Sequence, residues 1–282
     1  MHAYLLALGA IVLWGSLAAL GAALSHLPPF LLTGLALLIG SVLALPLSRF
    51  DWRQWRVPLP TLALGVYGLF GFHFLLFIAL RHAPPVEANL INYLWPLGMV
   101  LLAPALLPGL RLRPRHVVAA LLGFAGAALA ILGRPGAGLA GWRAEPGYLA
   151  ALGSAFVWAS YSLATRRVPP FPTAAVGGFA AVSGLLALAC HALLEPPATL
   201  AARDWALLAL LGLGPLGGAF FLWDAAVKAG DPRRIGLLAF ITPVLSTAGL
   251  ALAGGQALAP STLAAAAMIV AAAAWGGRAP AR

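Results

Sequence analysis

Residues 70–96 read FGFHFLLFIALRHAPPVEANLINYLWP. An apolar run, a short gap closing on Pro84-Pro85, and a second apolar run follow one another. Moved along the chain by 147 residues, this stretch falls on Leu216-Gly217-Gly218 and Phe220, then Asp231-Pro232, then Phe240-Ile241-Thr242-Pro243. Pro85 meets Pro232, Pro96 meets Pro243, and Gly65 meets Gly212. A slightly different shift sets Leu13-Trp14-Gly15-Ser16 on Val157-Trp158-Ala159-Ser160. Each identity is weak alone in a chain rich in Ala and Leu, but the shared order and spacing carry weight. The chain is therefore read as two related halves, 1–140 and 141–282.

Composition says what solvent these halves live in. The chain is 62% apolar and 9% charged, where soluble domains are about a quarter charged. So few charges cannot cover a soluble fold, so lipid must take their place. Ten apolar runs, each near the roughly 20 residues that span a bilayer core, lie at 3–24, 30–48, 58–80, 85–107, 115–133, 146–167, 173–194, 204–228, 233–253 and 260–277. The expected class is an all-α polytopic membrane protein with ten transmembrane helices. Met1 to Leu24 lacks a basic leader and reads as a first helix, not a cleaved signal.

The basic residues set direction. Of the 17 Lys and Arg, only Arg81, Arg134, Arg143 and Arg203 fall in gaps after odd-numbered runs. The other thirteen, from Arg49 to Arg278 and Arg282, fall after even-numbered runs or in the tail. Positive charge gathers on the cytoplasmic side, so both termini are expected there. Five helices per half is an odd number, so the second half enters from the opposite face. The result is two inverted five-helix repeats, the architecture of secondary transporters, with solute bound near the midplane. Trp52, Trp55, Trp142 and Trp205, at run ends, read as an interfacial belt.

Four runs carry polar or aromatic groups at depth. In the fourth, Asn89, Asn92, Tyr93 and Pro96 are spaced i, i+3, i+4 and i+7, on one helix face. Amides are costly in lipid unless they line a wet cavity or bond to a neighbouring helix, and Pro96 frees a mid-helix carbonyl. In the third, Phe70, His73 and Phe77 share a face. His73 lies about 12 Å from the helix end at ~1.5 Å per residue, deep enough to serve a substrate carboxylate or to bond to a neighbour as a neutral ring. In the sixth, Ser154, Trp158, Tyr161 and Thr165 form a stripe on which an aromatic solute could stack, or which is ordinary packing. In the eighth, Trp223 stands beside Asp224, which could hold an ammonium or a coupling proton. Lys228 at i+4 offers an ion pair instead. Glu87, in the first turn of its helix, reads as a helix-start acid. Pro85, Pro96, Pro232 and Pro243 are the expected hinge or gate points.

Other chemistries find no support. Cys190 is the sole cysteine, and the six His show no metal spacing, so no metal and no cofactor is expected. Gly212-Leu213-Gly214-Pro215-Leu216-Gly217 matches a dinucleotide pattern, but no strand precedes it. Its glycines read as close helix packing. The basic residues sit in short gaps, which argues against a nucleic-acid partner. A membrane-embedded enzyme would need a reactive cluster that the sequence does not supply.

With Trp14-Gly15 early in the first run and Pro243 in the ninth, the chain resembles the drug/metabolite transporter superfamily, with its paired EamA domains. The segment Glu87-Ala88-Asn89-Leu90-Ile91-Asn92-Tyr93-Leu94-Trp95-Pro96 is similar to the fourth helix of bacterial aromatic amino-acid exporters of the YddG type. Gly255-Gln256 departs from the Gly-Glu that many members carry before the last helix. The resemblance implies export of aromatic and other amphipathic amino acids across the bacterial inner membrane. Tyr93, Trp158, Tyr161 and Phe77 would pack the side chain, and Asn89, Asn92 and His73 would bind the charged ends. Trp223 and Asp224 complete the candidate set. The alternative is another small metabolite or a cationic drug. Small solute and lipid are the expected partners, and a monomer suffices.

Overall fold

The structure is a computed structural model that describes residues 2–133, 145–253 and 259–276. Every regular element among them is helical. The first half holds α1 (His2–Gly15), α2 (Leu17–Ala23), α3 (Pro29–Ser41), the short α4 (Ala44–Leu47), α5 (Leu59–Val66), α6 (Phe72–His82), α7 (Pro85–Asn92), α8 (Trp95–Leu106) and α9 (Pro114–Leu132). The second holds α10 (Pro146–Ala164), α11 (Val176–Leu194), α12 (Ala202–Leu213), α13 (Ala219–Ala229), α14 (Pro232–Ala239), α15 (Ile241–Ala253) and α16 (Pro260–Gly276). Seven helical runs among the described residues are long and apolar enough to cross a membrane. Trp142, Arg134, Arg143, Gln256, Arg278 and Arg282 lie outside the described residues.

Expected run ends agree with these elements to within a few residues, but several runs are not the continuous helices expected. The first breaks at Ser16, the fourth at Tyr93-Leu94 and the ninth at Phe240. The last two breaks stand just before Pro96 and Pro243. A proline ring crowds the preceding turn and donates no N–H to the carbonyl four residues back. The third and eighth runs each contain a π-helical turn, Tyr67–Gly71 between α5 and α6 and Gly214–Gly218 between α12 and α13. Those turns are 147 residues apart, as are α6 and α13, and α7 and α14. Pro85 and Pro232 open α7 and α14 at the first helical position, where a missing N–H costs nothing.

The packing is inside-out relative to a soluble protein. On α10, Ala151, Ser154, Ala155, Trp158 and Ser162 are buried while Leu149, Leu152 and Phe156 face outward. Ala7, Ala10, Ala36, Ala119, Ala120 and Ala127 are wholly buried, whereas Leu5, Val12, Leu210 and Val270 are exposed. Lipid is as apolar as Leu, so large side chains gain nothing by turning inward. Small ones let helices approach. α1 packs on α13, α6 on α10, α3 on α11 and α9 on α16.

α3 comes within backbone contact of the end of α12 and the π turn after it. A Cβ on Gly40 would stand 2.7 Å from the Gly212 carbonyl oxygen and 2.7 Å from Gly217 Cα. The glycines of the false dinucleotide pattern thus serve backbone contact. Gly40→Ala should lower the thermal unfolding midpoint in detergent, as overpacking of about 1–3 kcal/mol requires. Gly21→Ala, where a Cβ meets nothing within 4 Å, should leave it unchanged. Equal midpoints for both variants would refute the contact.

Candidate functional site

The breaks and π turns converge on a cavity of about 440 Å³, a size that suits a small organic solute. His73 and Phe77 of α6, Asn89 and Asn92 of α7, Tyr93 at the break and Trp158 of α10 all line it. The cavity extends to Ser25 and Leu27, in the turn between α2 and α3, and Ser25 is exposed there.

At its inner end the rings close together. Trp14 packs edge-on against Trp158 at 5.8 Å and Trp95 at 6.2 Å, and lies 5.1 Å from Trp223. Trp95 meets Trp223 at 5.4 Å, and Phe220 joins Trp158 at 5.5 Å. Edge-to-face arrangements are the favourable ones for such rings. Two of the indoles have hydrogen-bonded N–H groups: Trp14 Nε1–H donates to the Pro215 carbonyl at 3.1 Å, and Trp223 Nε1–H to Ser162 Oγ at 3.0 Å. Trp14, Trp95 and Trp158 line the cavity from α1, α8 and α10, with Trp223 of α13 packed behind them, so the floor is built by both halves.

The polar wall is held from behind. His73 Nδ1–H donates to the Leu69 carbonyl at 2.6 Å, inside the first π turn. In the neutral ring Nε2 is then an acceptor. Ser154 Oγ–H donates to Asn92 Oδ1 at 2.8 Å. Tyr148 donates its hydroxyl proton to Glu87. Glu87 makes no cap hydrogen bond at the start of α7. It stands in the first turn of α7, as expected of a helix-start acid, and is also a buried tie between α7 and α10.

Three expected site residues lie off the cavity. Tyr161 is buried behind Trp158, 5.5 Å from it, and against Gly68, whose missing Cβ admits the ring. Trp223 turns its indole N–H away, to Ser162. Asp224 is about one turn further along α13 than Phe220, about 6 Å along the axis. There Lys228 Nζ meets it at 2.7 Å and Thr173 donates to it at 2.8 Å. The Lys228 ammonium also sits over the Phe171 ring at 3.5 Å. The ion-pair spacing is thus filled. Trp14 and Trp95 are cavity residues that sequence reasoning had not placed in the site. The repeat held a signal for Trp14, since Trp158 is its counterpart.

Both ends of the bundle are stitched. Near Ser25, the buried Glu195 carboxylate accepts from the Phe30 and Leu31 N–H groups, which open α3, and pairs with Arg81 at 2.9 Å and His191 at 3.0 Å. A carboxylate at a helix start satisfies orphan donors and the helix dipole together. At the other end Arg166 donates to the Gly230 carbonyl and Arg233 to that of Arg111. Burial would raise the Asp231 carboxyl, but hydrogen bonds from the Arg233 guanidinium and backbone N–H outweigh it and hold the group below the usual carboxylate value.

A family model described as the EamA-like transporter family matches residues 1–132 and 145–275. This chain belongs to that family. The aromatic amino acid exporter YddG of Ancylobacter novellus is 44% identical to this EamA-like transporter over 273 residues, covering 95% of this chain and 94% of the relative. A solved crystal structure at 41% identity shares the fold with a TM-score of 0.89, over 97% of this chain and 96% of its own.

The Asp224–Lys228 pair yields a stability test for this transporter. Lys228→Ala strands a buried carboxylate and should cost about 3 kcal/mol, read as a lower unfolding midpoint. Asp224→Asn combined with Lys228→Met should recover most of it. A Lys228→Ala midpoint equal to wild type would show that the pair carries no stability.

Proposed function

We propose that this chain is a secondary transporter that exports aromatic and other amphipathic amino acids from the cytoplasm by alternating access. The observation that carries this reading is the cavity itself: aromatic rings floor it, and neutral polar groups line it. Among the described residues, none that line it is Asp, Glu, Lys or Arg. A solute with net charge would be desolvated there without a counter-charge, whereas a zwitterion brings both signs together. This favours an amino acid over a cationic drug. The name of the relative from Ancylobacter novellus agrees.

Ten crossings as two inverted five-helix repeats, 1–140 and 141–282, supply the mechanism. Beyond the seven long runs, α10, α14 with α15, and α16 would complete the ten. The 147-residue recurrence of π turns and half-helices supports the repeat. So does the packing: exchanging the halves turns the α1–α13 contact into the α10–α6 contact, and leaves α3–α11 and α9–α16 as pairs across an axis. Two separate family matches point the same way. With thirteen of the 17 basic residues on one side, both termini belong in the cytoplasm of a bacterial inner membrane. The turn at Ser25 then faces outward, so the cavity opens outward and the tryptophan floor seals the cytoplasmic side. Pro85, Pro96, Pro232 and Pro243 mark the points about which the half-helices move. His73, Phe77, Asn89, Asn92, Tyr93 and Trp158 are the substrate contacts, backed by Tyr161 and Trp223. One chain lines the whole cavity, so a monomer suffices.

Proteoliposomes loaded with labelled Trp, Phe, Lys or a neutral sugar should release Trp and Phe far faster than the other two. Equal release of all four, or of none, overturns the reading. Trp158→Ala should lower aromatic flux roughly tenfold, the equivalent of about 1.4 kcal/mol, at unchanged folded yield.

A further inference from the structure

Polar groups line the cavity at the breaks of the fourth and ninth runs. At the first, α7 ends at Asn92, and the amides of Asn89 and Asn92 lie in its last turn. At the second, the ninth run restarts after its break at Phe240, and Thr242 is the second residue of the thirteen-residue α15. A helix start presents N–H groups that lack helical partners. Thr242 lines the cavity and is only 5% exposed. Among the described residues, it is the one cavity-lining side chain whose buried oxygen has no hydrogen-bond partner.

An orphan hydroxyl is costly to bury. Threonine in a helix keeps two accessible χ1 rotamers, so its O–H can turn to a ligand without strain. The counterpart of Thr242, 147 residues earlier, is Trp95, whose ring is part of the floor. Equivalent positions after equivalent breaks thus supply a ring in one half and a hydroxyl in the other.

We propose that Thr242 and the start of α15 bind the α-carboxylate of the substrate, which turns its ammonium toward the Asn89 and Asn92 end of α7. The assignment rests on the amino-acid reading of the cavity and fixes the orientation of the solute within it: carboxylate on the second half, ammonium on the first. Thr242 then selects for an intact carboxylate.

The test uses full-length protein in liposomes, with labelled phenylalanine as substrate and phenylalaninamide as competitor. Thr242→Val keeps the shape and removes the hydroxyl, while Thr242→Ser keeps the hydroxyl. Thr242→Val should raise the phenylalanine concentration for half-maximal flux about tenfold. It should also erase the preference for phenylalanine over its amide, with Thr242→Ser near wild type on both counts. A Thr242→Val transporter with the wild-type half-maximal concentration and preference overturns the assignment, as does Thr242→Ser behaving like Thr242→Val. Absence of phenylalanine flux in the wild type would instead overturn the amino-acid reading.

Discussion

In hydrocarbon, a backbone carbonyl that loses its helical partner has no water to turn to. The rest of this structure depends on how that constraint is met. The helices are interrupted, and residues beside several of the interruptions line the cavity. In both π turns a cavity side chain satisfies the disturbed backbone: His73 bonds to the Leu69 carbonyl, and Trp14 to that of Pro215. The residues that shape the cavity therefore also stabilise the defects that create it. Removing either would expose a carbonyl as well as enlarge a hole.

That coupling explains which parts of the protein were legible in its sequence. Lipid as solvent follows from a 9% charged fraction. The 147-residue spacing of Pro85 and Pro96 from Pro232 and Pro243 is also that of the π turns and half-helices, because a proline fixes local geometry wherever it stands. The breaks beside those prolines were foreseeable in kind, although the fourth and ninth runs read as continuous. Six of the nine expected site residues line one cavity because amides and aromatics on an apolar helix have few other places to go.

What stayed hidden was rotational. A helix apolar on all sides does not announce its inner face, so Tyr161 and Trp223 could not be separated from Trp158 by spacing. Asp224 differs from a cavity residue by a single turn, a distance that hydropathy does not measure. The role of Glu195 was invisible for another reason. Its partners, Phe30, Leu31, Arg81 and His191, are mostly far along the chain, and an acid after an apolar run looks like any loop residue.

The alanine interior has a mechanical consequence. Alanine has no χ angle, so burying it forfeits no rotamer freedom, and two alanine faces present one another with a nearly smooth surface. Interfaces built of branched side chains interlock, and sliding them means lifting knobs out of holes. Ala119, Ala120 and Ala127 pack with Val100, Leu237, Phe240 and Ile269, and each alanine offers these larger side chains little to lock into. The residue that lets these helices lie close is also the one that gives their contact the least friction.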